Sequence, residues 1–195
     1  MVAAVNPGNP QIDVQLSSTE PYDDTAPLRL DRNGVSAYIS IMRGCNNCCS
    51  YCVVPYTRGA ERSRDPYTIV REAEEAFAEV NLLGQNVDSY LWKAPEDCPE
   101  HCGESVNFAQ LLEKVAAISP QLRVRFSTSY PSDITDEVLY TMAAHSNICR
   151  HIHFPVQSGS DAMLEKMRRK YDRKWYLERV ARIREIVPDC GLTTD

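Results

Sequence analysis

The stretch VSAYISIMRGCNNCCSYC, residues 35–52, joins an alternating segment to a knot of cysteines. Val35, Ala37, Ile39 and Ile41 fall on one side of an extended chain, and Ser36, Tyr38, Ser40 and Met42 on the other, which is the period of a strand. The loop that follows carries four thiols, Cys45, Cys48, Cys49 and Cys52, half of the eight cysteines in the chain. Clustering of this kind reads as a metal site in a reducing compartment and not as a disulfide framework.

The same strand-then-helix alternation continues outward. Asp65-Pro66 supplies a capping acceptor and a proline for the first helical turn, and Ile69, Val70, Ala73 and Phe77 follow at helical spacing. Residues 80–83 read as a second strand, followed by a long loop and a helix carrying Phe108, Leu111, Leu112 and Val115. Residues 122–128 form the expected third strand, Ile134, Val138, Leu139 and Met142 the third helix, and residues 151–156 the fourth strand. Two more helical patterns cover 163–167 and the stripe Tyr176, Val180, Ile183, Val187, which Pro188 stops. Residues 191–194 open a fifth strand.

Strands alternating with helices imply right-handed βαβ crossovers and an α/β fold with a parallel sheet, either open or curled into a barrel. In both cases ligands bind where the strands' C-terminal ends share a rim. The unusual polar segments RGCNNCCSYC, GQNVDSY, STSYP, QSGS and TTD all lie at those ends. A purely structural domain would scatter such residues over both rims.

With 195 residues and 43% apolar content, the chain can bury a real core, and one main domain over 35–195 is expected. Residues 1–34, rich in Pro, Asn, Asp and Ser, read as a linker. No leader and no run approaching the ~18 apolar residues of a membrane span is present, so a cytoplasmic protein with no membrane contact is expected. The net charge of −6 argues against nucleic-acid binding by the chain as a whole. Residues 165–185 nevertheless hold nine Lys/Arg against four acids, either the solvated faces of two helices or a strip that meets a polyanion.

Two registers fit the thiols. Cys45-x2-Cys48 with Cys49-x2-Cys52 would make a four-cysteine zinc site, but such sites separate their pairs by a dozen or so residues, whereas here the pairs are adjacent. Cys45-x3-Cys49-x2-Cys52 would give three thiolates to a cubane iron–sulfur cluster that ordinarily takes four, leaving one iron open for chemistry. Cys48 then either closes the cluster or packs as a small apolar residue.

The second spacing, with Tyr51 just before the last cysteine and directly after a first strand, resembles the radical S-adenosylmethionine (SAM) superfamily. The segments at 38–64, LLGQNVDSY (82–90), RFSTSYP (125–131), HIHFPVQSGSDAMLEKMRRKY (151–171) and VPDCGLTTD (187–195) are similar, in order and spacing, to the radical core of tRNA methylthiotransferases, above all the branch that modifies isopentenylated adenosine next to the anticodon. The resemblance implies a partial (β/α) barrel with parallel strands, truncated in its fifth strand. It implies a [4Fe–4S] cluster on Cys45, Cys49 and Cys52, SAM on the open iron, and a 5′-deoxyadenosyl radical that takes hydrogen from C2 of the adenine.

By the same resemblance, Tyr51, Gly84, Gln85, Asn86, Ser127, Thr128, Gln157 and Ser158 are cofactor-binding candidates, and Arg58, Arg62 and Arg64 are candidates for cofactor carboxylate or RNA phosphate. The bland readings are a strand-to-loop turn for Gly84–Asn86, helix capping for the serines, threonine and glutamine, and surface ion pairs for the arginines. The expected partners are tRNA and an electron donor such as flavodoxin or ferredoxin, acting on a monomer. The family also carries an N-terminal domain with an auxiliary [4Fe–4S] cluster that donates sulfur, and a C-terminal β-barrel that grips tRNA. Neither pattern occurs here, so residues 1–34 are expected to be the tail of that missing domain, 35–195 an incomplete radical SAM core, and methylthiolation by this chain alone incomplete. Departures from the family pattern are Cys48 in place of an aromatic, Ala60 in place of arginine, and Tyr130 in place of a histidine. Competing readings are a non-catalytic iron–sulfur or zinc domain and a radical SAM enzyme with another substrate. Cys98, His101 and Cys102 are an incomplete set for a second metal, and Cys149 and Cys190 are expected in the core.

Overall fold

The computed structural model describes residues 35–75, 78–96, 99, 101–127 and 129–195. Phe77, Cys98 and Thr128, all singled out above, lie outside them. The chain alternates as expected. β1 (Ser36–Ser40), β4 (Glu79–Leu83) and β7 (Arg123–Ser127) make a parallel sheet in the order β1-β4-β7. β8 (His151–His153) and β9 (Gly191–Thr193) pair in parallel beside it, and a single parallel bridge from Val124 to Ile148 carries the curl across. β8 stops three residues short of the expected 156 because Pro155 has no N–H to give a ladder.

Period-two alternation sorts each strand into two faces. Ile39, Val80, Leu82, Val124 and Ile152 are fully buried and face the helices. These are α2 (Pro66–Glu74), α3 (Phe108–Ala116), α4 (Asp136–Ala144) and α6 (Arg173–Ile186), which supply Ile69, Leu111, Leu112, Val115, Leu139, Met142 and Ile183 to the core. The helices begin where their caps dictate. Asp65 accepts from the Tyr67 and Thr68 N–H groups, Asn107 and Gln110 form a reciprocal capping box, and Thr135 and Asp172 cap α4 and α6.

Two antiparallel pairs were not legible as strands. β2 (Met42–Arg43) pairs with β3 (Arg62–Ser63), and β5 (Leu91–Lys93) with β6 (Ser105–Asn107) inside the long loop after β4. The second hairpin carries a cluster in which His101 stacks on Tyr67 at 4.0 Å and Glu104 accepts from the Tyr67 hydroxyl at 2.7 Å. Cys149 and Cys190 are half-buried and not fully in the core. Burial pushes both thiols up, Cys190 to about 11.

Candidate active-site rim and cysteine loop

β2 and β3 close the base of the cysteine loop. Arg64 N–H donates to the Ile41 carbonyl at 2.9 Å, Cys45 N–H to the Gly59 carbonyl at 3.2 Å, and Asn46 and Glu61 bond each other through both backbone and side chain. Gly44 sits at φ +77° with the Ala60 carbonyl packed where a Cβ would stand, so any other residue would force the two ends of the loop apart. That close approach involves the Ala60 backbone, which accounts for nothing about why arginine is absent there.

Cys45, Cys49 and Cys52 are half-buried, whereas Cys48 is exposed. The Asn47 N–H points at the Cys45 sulfur at 3.4 Å, and the Arg169 guanidinium donates to the Cys49 sulfur at 3.4 Å. Burial pushes the Cys45 thiol up, the Asn47 N–H pulls it down, and Glu61, Cys49 and Cys52 push it up again as nearby negative charges. Among the described residues, no three ligating side chains already meet at metal-bond distance.

Other rim segments converge beneath the loop. Gly84, at the end of β4, lies so close to Met42 that an added Cβ would be 2.5 Å from its Cγ. Asn86 is buried, donates to Asp133 at 2.6 Å and accepts from the Tyr130 N–H at 3.2 Å, while Asn47 donates to the same Asp133 at 3.3 Å. Asp133 therefore ties three rim loops together. Asp88, in the short 3-10 turn Val87–Ser89, is buried, and burial pushes its carboxyl up to about 7. The Ser129 hydroxyl and Tyr130 N–H face it and pull the other way, but neither Asp88 oxygen has a well-aligned hydrogen bond.

The remaining candidates divide. Ser127 stands on the concave side of β7. Gln157 holds a left-handed backbone at φ 67°, and its N–H donates to the Asp195 carbonyl at 3.1 Å. Ser158 accepts from the Ser160 N–H at 3.2 Å and caps no helix. Tyr51 is exposed and accepts from Arg169 at 3.3 Å. Arg58 is exposed at the end of the short helix α1 (Val54–Arg58), and its carbonyl accepts from Arg62 at 3.4 Å. Arg64 is buried and donates to Glu72 at 2.5 Å, which anchors the loop base to α2.

The concave side of the sheet supplies groups that sequence reasoning passed over. Asn81, Arg125, Cys149, His151 and His153, together with the candidate Ser127, line a cavity of about 180 Å³. Arg125 donates to Glu79 at 2.9 Å, and His153 lies 3.1 Å from the Thr193 hydroxyl. Strand alternation could have found all of them, because each follows or precedes a buried apolar residue by one position.

The sequence profile described as the radical SAM superfamily matches residues 39–195. The chain belongs to the radical SAM superfamily. Membership implies a [4Fe–4S] cluster and SAM as cofactors. The whole chain is 57% identical to a tRNA-2-methylthio-N(6)-dimethylallyladenosine synthase of Amoebophilus asiaticus and 53% identical to that of Bacteroides thetaiotaomicron, and it spans 42% of the length of each. The radical SAM fold itself recurs at low identity. The methyltransferase TsrM from Kitasatospora setae matches 83% of this chain and 30% of its own at a TM-score of 0.56 and 18% identity. The cobalamin-dependent SAM radical enzyme OxsB matches 80% of this chain and 23% of its own at 0.55 and 11%. Among the described residues, no helix of this radical SAM chain is long and apolar enough to cross a membrane.

Proposed function

We propose that this chain is the radical SAM core of a tRNA methylthiotransferase acting on isopentenylated adenosine, with Cys45, Cys49 and Cys52 as the cluster ligands. One observation carries the reading. The two sulfurs Cys45 and Cys49 each receive an N–H donor at 3.4 Å, the arrangement that an anionic thiolate needs, while Cys48 faces solvent. The cluster, when bound, supplies an open iron for SAM and the electron that cleaves it.

The chain's own residues bind, orient and exclude water around that centre. Buried side-chain atoms of Asn47, Gln85 and Arg169, drawn from three rim segments, find no hydrogen-bond partner among the described residues. Buried orphans of this kind favour a polar ligand at the rim. The concave groups Asn81, Arg125, His151 and His153 offer a polar floor below it. Arg58, exposed at the end of α1, and Arg62 beside it suit RNA phosphate, and exposed Tyr51 and Tyr56 offer a docking surface for a flavodoxin- or ferredoxin-type electron donor.

Anaerobic reconstitution tests the reading. About four irons and four sulfides per chain, with 5′-deoxyadenosine formed from SAM under reductant, is the expected result. Zinc retained without sulfide would sink it in favour of a structural metal site. Cys48→Ala leaves the iron content unchanged, and loss of iron on that substitution would give the fourth corner to Cys48.

A further inference from the structure

Arg169 is not among the residues assigned to the cofactor above, yet it is the side chain through which the fourth βα unit reaches the cysteine loop. The helix α5 (Asp161–Lys166) ends in a Schellman turn: Arg168 N–H bonds the Glu165 carbonyl and Arg169 N–H the Leu164 carbonyl, each at 2.9 Å. Arg168 occupies the left-handed position at φ 55°, where glycine is usual, and the turn sends Arg169 back toward the rim. There the guanidinium packs 4.2 Å from the Tyr130 ring and 5.0 Å from the Tyr171 ring. Its Nε donates to the Tyr171 hydroxyl at 2.9 Å, and that hydroxyl donates onward to the Pro155 carbonyl at 3.0 Å. One Nη donates to the Cys49 sulfur at 3.4 Å and the Tyr51 hydroxyl at 3.3 Å, and the other is buried without a partner among the described residues.

We propose that Arg169 is a positioning residue for the cluster, a fixed cationic donor on the Cys49 sulfur that raises the cluster's reduction potential. This rests on reading Cys49 as a cluster ligand. A reduced cluster carries one more negative charge than an oxidised one, so a nearby cation and a hydrogen bond to sulfur both stabilise the reduced form. The aromatic walls of Tyr130 and Tyr171 keep the guanidinium half-buried, where salt screens it little. Tyr130, the departure from the family's histidine, serves as the stacking surface, and its hydroxyl accepts the Lys170 N–H at 3.3 Å.

The test is an electrochemical titration of the reconstituted wild-type, Arg169→Met and Arg169→Gln chains, after iron and sulfide have been counted in each. With equal cluster content, Arg169→Met is expected to show at least a tenfold smaller reduced-to-oxidised ratio at fixed poise, equivalent to about 59 mV for one electron. Arg169→Gln, which keeps a donor and loses the charge, falls between, and it carries the comparison if the methionine variant does not retain its cluster. An unchanged potential in a variant with full iron and sulfide overturns the proposal while leaving the cluster ligands as assigned. Wild-type chain that takes up zinc and no sulfide overturns both.

Discussion

Alternate residues of β1, β4 and β7 build two opposite surfaces from the same three strands. Toward the helices stand Ile39, Leu82 and Val124, fully buried; toward the hollow stand three level rows, Ser36–Glu79–Arg123, Tyr38–Asn81–Arg125 and Ser40–Leu83–Ser127. Closed eight-stranded (β/α) barrels fill their hollow with layers of branched apolar side chains. Here the hollow is mostly polar, and Tyr38 within it is 67% exposed. The difference teaches where each kind of information lies: the outer face specifies the fold, and the inner one adds little to it.

Substitutions can break that division or sharpen it. The largest effect belongs to the outer face, where Leu82→Ala removes a fully buried side chain and should cost about 2–5 kcal/mol in denaturant unfolding. Next is Asp88→Asn, read as stability against pH. Burial raises the folded carboxyl from its ordinary 3.8 to about 7, so the wild-type chain is favoured while the group is protonated and loses that stability as pH climbs between the two values. The asparagine variant is spared that loss, and its advantage should grow on the order of 1 kcal/mol per pH unit across the window and then level off. A variant that tracks the wild type at every pH would mean the carboxyl is better solvated than its burial indicates.

Smaller effects follow. Arg168→Gly relieves the left-handed turn and should stabilise the chain by about 1 kcal/mol or less in thermal unfolding. The smallest should come from the hollow itself: Asn81→Ala, which deletes a side chain whose buried oxygen has no partner among the described residues, should change stability by no more than about 0.5 kcal/mol. A cost comparable to that of Leu82→Ala would erase the contrast between the two faces.

The βαβ order was legible because periods of two and 3.6 survive in the sequence wherever a face is buried, as in Ile69 and Ala73 or Leu111, Leu112 and Val115. The cysteine spacing was legible because ligand spacing is local. What escaped was made of contacts without a period. Two-residue strands such as β2 and β3 leave no alternation to read, and β5–β6 was hidden in a stretch taken for loop. Arg169 looked like one more cation on a basic, solvated helix face, since nothing in MRRKY announces that Arg168 will turn left-handed and fold its neighbour inward. Much of the rest of that basic run is indeed spent at the surface or near it, with Arg179 and Arg182 on Asp136 and Lys174 on Glu178.

The cysteine loop is braced by α5, through the Ser50 hydroxyl on the Lys166 carbonyl at 2.9 Å and the Ser50 N–H on the Met167 carbonyl at 3.1 Å. Ser50 and Lys166 are 116 residues apart. During synthesis at about 5–20 residues per second, the thiols leave the ribosome roughly ten seconds before their support does. In that interval the loop is a nascent segment with reactive sulfurs and an unfinished footing, so its capture by oxidants or by stray metal is a hazard of translation itself. Thiol labelling of chains stalled before and after residue 171 emerges would read that interval directly, and equal labelling at both points would show that the loop sets without its brace.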